Sequence, residues 1–102
     1  MYILEYSNDA KSDIDNIAYW IAEEKGMPAT AFEYMSRLSK AIKEMAKHPM
    51  AYSIRTSPTS ILKYGLNVRR MNFEKLAVLF VIKDDNTVYI HRVIAAKNIH
   101  SS

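Results

Sequence analysis

Residues 65–98, GLNVRRMNFEKLAVLFVIKDDNTVYIHRVIAAKN, decide the fold. They read as three strands joined by tight turns, the tightest at Asp84, Asp85 and Asn86, residue types that tolerate the backbone a hairpin needs. The run 76–82 is apolar throughout, as a strand covered on both faces should be, and so takes a central place in the sheet. The same stretch holds most of the unpaired positive charge. Residues 1–50 carry six Lys/Arg against eight Asp/Glu, and residues 51–102 carry eight against three, so minus two and plus five make up the net +3. Net charge speaks to association rather than fold, and a basic sheet in a chain this small implies an anionic partner surface.

Working outward, residues 2–6 are rich in Ile, Leu and Tyr and lead into Ser7, Asn8 and Asp9, whose side-chain oxygens cap helices. A short strand therefore runs into a helix starting near residue 9. Ile14, Ile17, Ala18 and Ile21 form its apolar stripe at helical spacing, with Trp20 on the flank. Lys25, Gly26 and Pro28 supply the stop. Over 29–47 the set Ala31, Met35, Leu38, Ile42 and Met45 repeats by four and three, which predicts a second helix antiparallel to the first, closed by His48 and Pro49. Residues 50–64 carry Ser, Thr and Pro without a period and read as a long loop. The fold class is α+β: a strand, an antiparallel helical hairpin, then a three-stranded antiparallel meander, with the helices on one face of a four-stranded sheet. The other sheet face is left open for a partner.

At 102 residues with 49% hydrophobic and 25% charged side chains, the chain predicts one domain over residues 1–102. The absence of cysteine excludes disulfides, thiol catalysis and thiolate metal sites, and suits a reducing cytosol. The N-terminus turns acidic too soon for a signal peptide, and the longest apolar run is far shorter than a bilayer span. A soluble, cytoplasmic protein is the expectation.

Arg69 and Arg70 are neighbours on the first meander strand, so only one can project from the open face while the other reaches an edge or pairs with a carboxylate. Guanidinium donates in a planar fork that fits phosphate oxygens, and Lys63, Lys75, Arg92 and Lys97 extend the same field. Together these six form the candidate surface for a target or a nucleic acid. The plainer reading is a solvated face with one arginine in a buried ion pair. His91 and His100 are candidates for moving protons near neutral pH, although a strand histidine is more often structural. The three histidines lack metal-ligand spacing, two glycines cannot build a phosphate-binding loop, and neither a metal nor a cofactor is expected. Tyr52, Tyr64 and Tyr89 suit stacking on bases or packing at the rim.

The residues resemble the RelE/ParE toxins of bacterial type II toxin-antitoxin systems over nearly the whole chain. YILEYSNDAKSDIDNIAYWIAEE is similar to the family's first strand and acidic, Ile-rich helix, MSRLSKAIKEMAKHP to its second helix with a closing proline, and IHRVIAAKN to the ParE-like ending. The resemblance implies a toxin that halts growth through DNA gyrase or the translating ribosome until a cognate antitoxin covers it. It assigns the basic position of the first meander strand to Arg69, the last-strand arginine to Arg92 and the following basic residue to Lys97. The chain departs from the family where Leu76 and Ala77 replace a Tyr-Arg or Tyr-Leu pair, and where Ala95, Ala96, Lys97, Asn98 and Ile99 replace a Tyr-Ala-Lys-Arg-Asp ending. Catalysis, if present, would fall to Arg69, Arg92, Lys97, His91 and His100 as a substituted set for metal-independent, ribosome-dependent cleavage of messenger RNA. A non-catalytic nucleic-acid-binding module and an inactive toxin homologue are the alternatives.

Overall fold

The computed structural model describes residues 2–98, and the backbone bears out the α+β reading. Strand β1 (Ile3–Tyr6) passes directly into helix α1 (Asn8–Tyr19), which widens into a π-turn (Trp20–Glu24). Helix α2 (Pro28–Lys47) returns antiparallel, and a 3-10 turn (Pro49–Ala51) follows. A third helix, α3 (Pro58–Tyr64), precedes the meander of β2 (Arg69–Phe73), β3 (Leu76–Lys83) and β4 (Thr87–Ala95). The sheet order is β1-β4-β3-β2, with β1 parallel to β4 and the other pairs antiparallel.

Local chemistry explains the boundaries. Ser7 caps α1 by accepting from the Ala10 amide at 2.9 Å, and Pro28 opens α2 where its missing N–H costs nothing. Gly26, at φ +66, makes the reversal between the helices. Asp84 and Asp85 both hold left-handed φ in the β3–β4 turn, as the Asp-Asp-Asn cluster suggested. The core lies between the hairpin and one sheet face: Leu38, Ile42 and Met45 from α2 and Ala10 from α1 pack against Met71, Val78, Phe80, Val88, Ile90 and Val93.

Two expectations are corrected. Residues 50–64 are not a long loop. Ser57 caps α3 by accepting from the Ser60 amide at 3.1 Å, with Pro58 at the first helical position. The Ser, Thr and Pro that read as turn formers are helix-start signals, and a helix of two turns whose Leu62 points into solvent shows no apolar period.

Nor is the second sheet face wholly open. Ala77 and Leu79 alternate with Val78 and Phe80, so they point away from the hairpin, yet both are fully buried. Among the described residues the segment between α2 and β2 is what remains to cover them. It is tied to β2 by an Ile54–Arg69 bridge and by the Arg55 amide donating to the Val68 carbonyl at 2.7 Å.

Candidate functional site: an arginine face and the groove beside β4

Alternation along β2 separates the neighbouring arginines, as expected. Arg69 pairs in register with Phe80 and lies on the hairpin side, where its guanidinium donates to the Tyr52 carbonyl rather than to a carboxylate. Arg70 pairs with Leu79, and Leu79 pairs with Arg92 on β4, so the second face carries an Arg70–Leu79–Arg92 row across three strands. The Arg70 Nε donates to Asn72 Oδ1, two residues along on the same face, at 2.6 Å.

Arg55 joins this face, although nothing in a segment read as loop marked it out. It is buried, and its pKa is lowered first by loss of hydration and then by the charge of Arg70, with Tyr64 acting in the opposite direction. The charge of Arg70 thus adds to the cost of keeping the buried Arg55 ionised, and the two mark a positive locus on this face. Tyr64 also acts on Arg92, which draws the end of α3 to the same cluster. Of the other expected cations, Lys63 lies over the Tyr64 ring at 5.6 Å, while Lys75 and Lys97 belong to a different feature, the groove described below.

Arg92 is also the arginine of the ion pair. Its Nε and Nη2 donate to the two carboxylate oxygens of Asp13 at 2.8 and 2.9 Å, and this hydrogen bonding raises its pKa. Asp13 accepts in addition from the Val93 amide at 2.9 Å. The reason lies in strand length. The pairing of β1 with β4 ends at Tyr6 and Ile90, whereas β4 continues to Ala95. Beyond that point side chains of the α1 segment take over from a strand: the Ser7 hydroxyl donates to the His91 carbonyl at 2.7 Å, and Asp13 receives the Val93 N–H. His91 sits where the β3–β4 register shifts, as the residue added between Ile90 and Arg92. His100 lies outside the described residues.

Where α1 diverges from this border of β4, a groove of about 1120 Å³ opens. Its walls include Ile17, Trp20, Ile21, Leu76 and Val93, and Lys75 and Lys97 stand on its rim. Trp20 is 51% exposed because the π-turn carries it out of the hairpin's packing. Glu74, also on the rim, is engaged by Arg37, and Asp13 by Arg92, so the charge left to a ligand there is lysine. Among the described residues no group of three His, Asp or Glu side chains is placed to hold a metal ion.

Similar proteins agree with this architecture. A chromosomal ParDE toxin-antitoxin system from P. aeruginosa superposes with a TM-score of 0.71 at 18% identity, covering 93% of this chain and 96% of that one. The toxin-antitoxin complex RelBE2 from Mycobacterium tuberculosis superposes with a TM-score of 0.59 at 15% identity, covering 92% and 96%. At such identities the likeness shows the fold. No curated protein matches the chain. The family described as the ParE toxin of type II toxin-antitoxin system, parDE, matches residues 4–99, and with that span the chain belongs to the ParE toxin family.

Proposed function

We propose that this toxin arrests growth by gripping a macromolecular target with its arginine face, and that a cognate antitoxin silences it from the groove beside β4. The observation that carries the reading is the Arg70–Leu79–Arg92 row with Arg55 beside it. Arg70, bonded to Asn72, presents its guanidinium on this face, and Arg92 held by Asp13 and the buried Arg55 add positive field beside it, which suits a phosphate of a nucleic acid held by a larger machine.

Gripping is favoured over cutting. Leu76 and Ala77 stand where the RNA-cleaving members carry an arginine, and both are buried in β3. Cleavage without a metal requires side chains to stabilise a crowded phosphorane and to move two protons. Of the two targets that the family resemblance implies, DNA gyrase is the one that a binding toxin can poison. Purified gyrase with supercoiled DNA should accumulate broken-strand complexes when the chain is added, and messenger RNA on translating ribosomes should stay whole. Discrete cuts in the message with gyrase unaffected would overturn this assignment, and Arg70→Ala should weaken the gyrase effect while leaving the fold intact.

For the antitoxin, the groove offers an apolar floor, a strand border and two rim lysines, which together suit a segment with apolar and acidic side chains. Lys97→Glu should weaken the toxin-antitoxin complex by roughly tenfold through like-charge repulsion. Calorimetric titration would read the loss, and an unchanged affinity would remove the groove from consideration.

A further inference from the structure

The groove beside β4 has walls of one chemistry and a rim of another. We propose that it binds a small amphipathic anion, a long-chain carboxylate with its alkyl chain between the walls and its head at Lys75 and Lys97. A consequence rests on the antitoxin reading above: the carboxylate and the antitoxin exclude one another, so the bound anion releases the toxin.

The walls come from two directions. Ile17, Trp20 and Ile21 stand on the helical side, and Leu76, Val93 and Ala95 on the sheet side. At about 1120 Å³ the groove lies just above the span of roughly 300–1,000 Å³ in which pockets take small ligands. It therefore has room for an acyl chain with its head left in water. An alkyl chain suits such walls because it brings no hydrogen-bonding group that the groove would have to satisfy.

The rim fixes the sign of the head. Both carboxylates that line the groove are engaged, Asp13 by Arg92 and Glu74 by Arg37. Lys75 and Lys97 make no ion pair among the described residues. The Ala96 amide donates to the Lys75 carbonyl at 2.8 Å, which holds the backbone of Lys75 beside that of Lys97 at the end of the sheet. Two ammonium groups on one rim, with no lining carboxylate left to pair with them, anchor an anionic head. The occupant is a free carboxylate rather than a lipid in a bilayer, since the alkyl chain has to leave its neighbours to lie between two walls.

Trp20 is the chain's single tryptophan and lines the groove, so its emission reads the occupant directly. Dodecanoate, added below its micelle-forming concentration, should give a saturable change. Decanoate should bind more weakly, by roughly fourfold for each methylene lost. Dodecyltrimethylammonium, of equal chain and opposite charge, should not saturate. Lys75→Glu with Lys97→Glu should weaken dodecanoate at least roughly tenfold, with circular dichroism confirming that the variant is folded. The absence of a saturable change overturns the proposal, as does equal binding of the cationic amphiphile, or an affinity indifferent to chain length or to the lysine exchange. A change produced by vesicles of anionic phospholipid and not by dodecanoate assigns the groove to a membrane surface and overturns it too. Calorimetry then separates this site from the antitoxin reading. Dodecanoate held at about ten times its Kd should weaken antitoxin binding about tenfold. Dodecanoate bound with antitoxin affinity unchanged upholds the carboxylate site and removes the antitoxin from the groove. Antitoxin weakened by Lys97→Glu with no dodecanoate bound does the reverse.

Discussion

Asp13 concentrates more structure than any other single side chain outside the core. Its carboxylate, 13% exposed, receives both arms of Arg92 and the amide of Val93, joining the first helix to the last strand. Asp13→Ala would leave a guanidinium and a strand N–H without their acceptor, and should lower unfolding free energy by about 2 kcal/mol in urea titration. Arg92→Ala should cost only about 1 kcal/mol, because that side chain is more than a third exposed and solvent screens the pair. The residue scale also sets the alkaline limit. Burial raises the pKa of Tyr6 above its ordinary 10.0, so the phenol ionises sooner in the unfolded chain than in the folded one. The contribution is whole below that value and is lost as pH climbs through the folded pKa. Tyr6→Phe should therefore flatten the fall in thermal midpoint above pH 10, provided the comparison is made at constant ionic strength.

At the scale of elements, the two long helices and three meander strands were legible because each carries a period: Leu38, Ile42 and Met45 recur along α2, and 76–82 is continuously apolar. Helix α3 was not, since its signals are a cap and a proline rather than a stripe. With it went Arg55, whose place beside Arg70 depends on how the segment folds back over the sheet. The split between Arg69 and Arg70 followed from strand alternation alone, whereas the pairing of Arg92 with Asp13 joins positions 79 residues apart and left no local trace. Two turns make quantitative tests. Gly65 ends α3 at φ +94 with open space where a Cβ would stand, so Gly65→Ala carries a purely conformational cost of about 1 kcal/mol. Asp84 and Asp85 adopt left-handed φ that Asn and Gly hold more easily, so Asp84→Asn with Asp85→Gly should raise stability by about 1 kcal/mol. Thermal denaturation followed by circular dichroism reads both.

For the whole molecule, charge and shape divide the surface by task. The face away from the hairpin bears Arg70 and Arg92 with Arg55 beside them while Arg69 lies on the hairpin side, the β4 groove bears lysines, and the outer hairpin carries charge of both signs. Arg70→Ala should lower the salt slope of target binding by about one, as expected when one phosphate contact is removed. By contrast, Arg69→Ala should leave that slope unchanged, since its guanidinium is spent on the Tyr52 carbonyl.

The place of β1 has a consequence in time. Among the described residues Ile3–Tyr6 pairs with Thr87–Ile90 alone, so this strand finds its neighbour only after more than eighty further residues have been made. Contacts of such sequence separation close late, after the helical hairpin and the local β2–β3 turn have had the chance to form. A nascent chain shorter than about 90 residues lacks β4 and with it Arg92, the central sheet ladder and one wall of the groove. The arginine row and the β4 groove therefore cannot assemble until β4 has been made and has docked between β1 and β3.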